Sequence, residues 1–192
     1  MKDKLKGFWF YFKRALLITA IHAAVLLWGL LFTELDSVAQ AVLCIADLLL
    51  FFIFLFFLSL WTSASDYKRL KKRENADFLK PPYSVRAKEY AFYRGFFHSG
   101  IYSSLLSIFI LIAAAANTEW FWAALGFLEP SFNNLLIAVG LFENLETYGK
   151  AALFFLTPAI LPTLVYGIGY IIGGRRAESR YDAAARSRKR KK

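Results

Sequence analysis

The sequence predicts an all-α integral membrane protein with four transmembrane helices, N-in/C-in, and short interfacial helices between spans three and four. Three observations carry this. The 192 residues are 58% hydrophobic and 18% aromatic, with a mean hydropathy of +0.43, too apolar for a soluble domain unless the apolar residues collect into spans. Val38 to Leu60 runs 23 residues without Lys, Arg, Gly or Pro and holds one charge, Asp47. At about 1.5 Å per residue that is roughly 34 Å of helix, enough for a hydrocarbon core of about 30 Å. Finally, 23 of the 24 Lys and Arg residues fall in three segments that four spans put on one side.

In chain order, Met1 to Arg14 interleaves Lys2, Lys4, Lys6, Lys13 and Arg14 with Phe8, Trp9, Phe10, Tyr11 and Phe12. Rings at headgroup level and bases on anionic lipid suit an interfacial segment. Span one is expected at about 15–32. Ala39-Gln40-Ala41 imitates a signal-peptide cleavage site. However, the preceding apolar region exceeds the usual roughly 7–15 residues and the site would fall inside span two, so a retained span is expected. Thr33 to Ser37 is a tight acidic turn, and span two covers about 38–61.

Residues 62–98 form a strongly basic cytoplasmic loop. It is read as a polar extension of span two, a break at Lys80-Pro81-Pro82-Tyr83, and an amphipathic helix from about Ser84 with Tyr90, Tyr93 and Phe97 on one face. Span three is expected at about 99–116. An external cap, 117–149, follows, with Glu119, Glu129, Glu143 and Glu146. Its two short apolar runs, Trp120–Leu128 and Leu135–Phe142, are separated by Glu129-Pro130-Ser131; neither is long enough to cross alone, and both suit helices lying in the interface or dipping into it. Treating 120–142 as a fifth span is rejected, because it would bury Glu129 and Pro130 and move the basic tail outside. Span four covers about 151–172, with a kink expected at Pro158 and Pro162. The basic tail 173–192 is low in apolar residues and expected to stay disordered or marginally helical until bound. The base distribution makes both termini cytoplasmic, and the whole of 1–192 one membrane domain.

Polar residues inside spans mark the interior, since a charge at bilayer depth costs at least about 2.5–3.5 kcal/mol and turns toward protein or water. Gln40, Cys44 and Asp47 share one face of span two. Thr19, His22, Leu26, Gly29 and Thr33 form a similar stripe on span one. His22 and Asp47 stand at nearly equal distances from the turn centre at Leu35, so they are expected at one depth and to pair across the first hairpin. That pair is either a structural clasp or a proton relay, with Asp47 taking a serine hydroxyl as the other arrangement. Ser99, Ser103 and Ser107 on span three and Thr163, Gly167, Tyr170, Gly174 and Gly169-x-x-x-Gly173 on span four read as close-packing faces with hydroxyls bonding across.

No nucleophile-elbow, zincin, Walker A, Rossmann or C-x-x-C pattern is present. One cysteine, Cys44, and two histidines offer no disulfide and no cysteine-based metal site. His98, at a span end beside Arg94, reads as interfacial. No catalytic residue, metal or cofactor is therefore expected. The net charge of +10 is assigned to anionic headgroups at the cytoplasmic segments rather than to nucleic acid. A membrane-protein partner or a homo-oligomer is compatible with the small-residue faces. The final Lys-Arg-Lys-Lys only loosely resembles a dilysine signal. The expected function is a non-enzymatic accessory or scaffold subunit of a membrane complex; the alternative is a proton- or cation-coupled transporter or channel subunit using Asp47 and His22. The expected location is a bacterial cytoplasmic membrane.

Overall fold

The computed structural model describes residues 2–33, 35–76 and 91–190, with side chains over 9, 11–25, 27–33, 35–71 and 91–184. The described residues are helical, with no strand among them. Four helices are long and apolar enough to cross a membrane: Tyr11–Phe32, Ser37–Lys71, Arg94–Ala116 and Thr147–Ala184. The expected break at 80–83, the start of the helix at Ser84 and Tyr90 lie outside the described residues. Tyr93 and Phe97 are exposed and pair their rings at 5.9 Å.

Helix α1, Lys2–Leu26, tightens into a 3-10 turn, Leu27–Phe32. The connection to α2, Ser37–Ala76, is closed by Asp36. The Asp36 carboxylate accepts from the backbone N–H of Val38 and Ala39 at 3.2 and 3.1 Å, satisfying two of the donors a helix start leaves orphaned. One face of α2 is buried along almost its whole length: Gln40, Cys44, Asp47, Phe51, Leu55, Ser59, Thr62, Asp66 and Leu70. Spacings of three and four residues keep them on one side of a helix with 3.6 residues per turn.

Helix α3, Arg94–Ala116, ends at Asn117 in the left-handed conformation, φ 44°. Asparagine tolerates that conformation because its side chain can bond locally; here its Oδ1 accepts from Thr147 at 2.6 Å. The short helices α4, Glu119–Leu128, and α5, Pro130–Ala138, follow, then a single turn, α6, Leu141–Asn144. Helix α7, Thr147–Phe154, passes through a π turn, Phe155–Ile160, into α8, Leu161–Arg190. The π turn contains Pro158, whose missing N–H is absorbed where the regular ladder is already interrupted.

The most extensive contact is between α2 and α8. Its cause is small residues. A Cβ placed on Gly173 would stand 2.6 Å from the Leu60 carbonyl oxygen, and one on Gly169 would meet Ser59 and Phe56. Ser59-x-x-x-Ser63 thus faces Gly169-x-x-x-Gly173, and the two backbones approach closely. Across α3 and α8, the Ser103 and Thr163 hydroxyls bond.

Of the two states expected for the tail, the helical one is found: residues 173–190 continue α8. The tail's first turns are held by tertiary contact: Ala177 is buried, and the Tyr181 ring lies 5.8 Å from Tyr67 on the extension of α2.

Candidate functional site

Glu129 and Pro130, whose burial was counted against a fifth span, both sit inside the bundle, and Glu129 is 0% exposed. The local cause is the Glu-Pro dipeptide. Proline disfavours helical geometry in the residue before it and is well tolerated at a helix start. Glu129 accordingly leaves the helical region (φ −128°, ψ 56°), and Pro130 opens α5. The result is a helical hairpin with Glu129 at its elbow. Ten residues of α4 give about 15 Å of helix leading to that elbow. Hydrophobic burial holds it there. Trp122, Leu125, Phe132 and Leu136 are buried, and Phe132 and Trp122 set their rings 5.0 and 6.3 Å from Phe154.

Helix α5 packs against α2 and the 3-10 turn of α1. Gly29 permits this, since a Cβ there would fall 2.8 Å from the Ser131 Cα. Asn134, one helical turn beyond Ser131, donates its Nδ2 to the Gly29 carbonyl at 2.7 Å.

His22 and Asp47, expected to pair with each other, are both buried near this elbow but bond different partners. Ser131 donates its hydroxyl to Asp47. His22 Nε2 lies 3.0 Å from Glu129 Oε2, and His22 Nδ1 lies 3.1 Å from the Tyr102 hydroxyl. Tyr102 in turn donates to Glu129 Oε1 at 3.3 Å. The hairpin supplies the partners that a count along two spans could not include, and so replaces the direct pair with two separate ones.

The three contacts among His22, Glu129 and Tyr102 close a ring, and with Tyr102 donating to Oε1 two proton arrangements fill all of them. In both, Nδ1–H donates to the Tyr102 oxygen and the Tyr102 hydroxyl donates to Oε1. Either the imidazolium donates Nε2–H to a carboxylate, or a carboxylic acid donates to a neutral Nε2. One proton moved between Nε2 and Oε2 interconverts them, and the pair carries no net charge in either.

The supporting stripe is divided by the fold. Gln40 and Cys44 are buried on the Asp47 face, Cys44 as a free thiol. Thr19 is exposed and donates its hydroxyl to Ala15 O at 3.0 Å. Ser107 donates to Ser103 O at 2.7 Å, and Ser103 faces Thr163 rather than the elbow.

A second polar cluster lies toward the other end of the bundle. Asp66, 1% exposed, accepts from Tyr170 at 2.9 Å and pairs with Arg14 at 3.4 Å. Arg94 donates its Nε to the Tyr11 hydroxyl at 3.1 Å. His98, read as interfacial, is fully buried in the bundle, its ring 5.4 Å from both Tyr11 and Tyr170. Between the two clusters, Thr62 and Tyr166 bond at 2.9 Å inside the bundle.

Glu129, Tyr102, Ser131 and Asp66 were missed as site residues in the sequence. Asp66 had a signal, because it continues the buried face of α2 past the apolar stretch. Glu129 had one in its position beside a proline between two apolar runs. Among the described residues, no group of three or more His, Cys, Asp and Glu side chains forms a metal-binding set. Comparison with protein-family models, curated proteins and solved structures finds no match to this chain.

Proposed function

We propose that the protein is a proton- or cation-coupled carrier or channel subunit of a bacterial cytoplasmic membrane, both termini cytoplasmic, with the α4–α5 hairpin as its mobile gate. One observation carries the reading: two acids, Asp47 and Glu129, meet His22, Tyr102 and Ser131 halfway along the bundle, at the tip of a hairpin that ends there. Ionisable groups at bilayer depth are costly and normally mark ion or proton pathways. Here a proton is shared within a neutral ring, and movement of the hairpin would separate Glu129 from His22 and change which group holds it. Ser103–Thr163, Thr62–Tyr166 and Asp66–Tyr170 supply polar steps from that centre toward the cytoplasm. The reading is non-enzymatic. Ser131 gives its hydroxyl proton to Asp47, and His22 is engaged by Glu129 and Tyr102, so no serine–histidine nucleophile pair is assembled.

The test is reconstitution of the full chain in liposomes with a trapped pH-sensitive dye and an imposed potassium diffusion potential. The expected result is proton flux reduced at least tenfold by Glu129→Gln and Asp47→Asn, with Ser107→Ala unaffected. Equal flux in all four proteins refutes the reading.

The accessory or scaffold reading is supported by a separate feature. Helices α2 and α8 run side by side beyond the apolar stretch and present Lys68, Arg69, Arg175, Arg176 and Arg180 as exposed bases. A chain with Lys68, Arg69, Arg175, Arg176 and Arg180 all changed to Gln that loses a co-purifying membrane protein while keeping its flux supports a scaffold role for this arm alone.

A further inference from the structure

A cleft of about 310 Å³ enters the bundle between α1 and α3 beneath the end of α4. Its mouth is apolar and faces outward: Leu27, Leu105, Phe127 and Leu128 are 43–66% exposed. Its floor is the ring of His22, Tyr102 and Glu129, with Thr19 at the rim. The size lies at the low end of small-ligand sites, and an apolar wall with a few convergent polar groups is their usual construction. A mouth on the apolar perimeter of the bundle admits a ligand already dissolved in the bilayer.

The floor constrains the head of that ligand. His22 and Glu129 neutralise each other, and Asp47 is engaged by Ser131 and does not line the cleft. A charged head would be left uncompensated at bilayer depth, which is costly. Thr19 donates its proton to Ala15 O, so its hydroxyl oxygen faces the cleft as an acceptor. The protons of the Tyr102 hydroxyl and the His22 ring are spent within the ring with Glu129, which leaves the floor acceptor oxygens, that of Tyr102 among them. An uncharged head that donates a hydrogen bond fits this set; a hydroxyl does so. The tail has a continuation, because Leu105 also borders a second hollow along α3 formed with Phe96, Phe97, Gly100, Ile101 and Ser104.

We infer that the cleft binds an uncharged, single-tailed membrane alcohol, its hydroxyl at the Thr19–Tyr102–His22 floor and its chain leaving between α1 and α3. This binding does not depend on coupled transport: loss of flux in Asp47→Asn leaves the cleft intact, and a protein without flux still binds.

The experiment uses the full purified chain in lipid nanodiscs and a long-chain alcohol carrying a diazirine. Light-induced labelling is mapped by peptide mass spectrometry. Excess unlabelled alcohol, matched fatty acid or matched alkylamine serves as competitor. The expected result is labelling concentrated on 19–27 and 101–109, competed by the alcohol at concentrations at least tenfold below those needed with the acid or amine. Ala23→Trp fills the cleft and lowers labelling several-fold. Thr19→Val removes the acceptor at nearly constant volume and weakens competition by the alcohol without changing thermal stability, which separates loss of binding from loss of fold. Labelling spread over all lipid-facing helices, or equal competition by the three head groups, overturns the assignment.

Discussion

Replacing Glu129 tests whether the elbow is held by its hydrogen-bond ring. Glu129→Leu removes the acceptor of Tyr102 and the partner of His22 at a site with 0% exposure. Each buried polar group left without a partner costs roughly 1–3 kcal/mol in soluble proteins. Inside membranes single hydrogen bonds average about 0.6 kcal/mol and reach about 1.7. Two orphaned groups then put the loss at about 1–6 kcal/mol, with about 3 kcal/mol as the central expectation. At roughly 2–4 °C per kcal/mol for a chain of this size, the midpoint of thermal unfolding falls by about 6–12 °C. Glu129→Gln keeps an acceptor for Tyr102 and a donor or acceptor for His22, so its midpoint falls by less than about 4 °C. The assay is thermal unfolding of the purified chain in one detergent, followed by near-ultraviolet circular dichroism. Trp122 and Phe132 on the hairpin contribute aromatic signal near the elbow. A Leu variant within about 2 °C of wild type, or a Gln variant as damaged as the Leu variant, refutes the argument that the ring anchors the hairpin.

Other outcomes follow from the same contacts. Ser131→Ala leaves Asp47 without its hydroxyl donor, and a double-mutant cycle with Asp47→Leu should show a coupling of about 0.5–1.5 kcal/mol; strict additivity would mean that the bond contributes nothing. Gly29→Ala pushes a Cβ against Ser131, and Gly173→Val pushes side chain against the Leu60 carbonyl. Each should destabilise by at least about 1–3 kcal/mol, and limited proteolysis should show Gly29→Ala loosening the hairpin and Gly173→Val the α2–α8 contact. Asp66→Ala leaves Arg14 and Tyr170 without their shared acceptor and should cost of order 3 kcal/mol in denaturant titration, whereas simultaneous Arg14→Met recovers part of it. No recovery in the double variant would place the Arg14 contact outside the stabilising set.

Hydrophobic length and pattern were enough to read from the sequence the four helices long and apolar enough to cross a membrane. These properties are local: a run of apolar residues long enough for a bilayer core is visible without knowing its neighbours. The same holds for the Gln40–Cys44–Asp47 face, the Gly169–Gly173 face and the polar extension of α2, since helical periodicity alone assigns a face. The buried stripe could have been followed further, through Thr62 to Asp66, because the period does not change where the hydropathy falls. Treating charge as a marker of solvent hid that continuation, and also the burial of His98.

Only the tertiary structure decided which polar groups meet. The His22–Asp47 pairing came from counting outward from one turn, and that count correctly brought both residues to one region. It did not name the partners, because a third element enters there from a segment more than 80 residues away; for Asp47 the arrangement found is the alternative one, a serine hydroxyl. Glu129 has no feature in its neighbourhood that names His22. Its burial depends on α4 being long enough to reach mid-depth, on Pro130 turning the chain back, and on Gly29 leaving room for α5. A hydrogen bond between distant residues is a property of packing, and packing is decided by the fit of whole helices to one another. Local sequence thus determined which helices are long and apolar enough to cross a membrane and which faces turn inward. The fold determined that the inward-facing histidine and aspartate are joined by a glutamate, a tyrosine and a serine, rather than by each other.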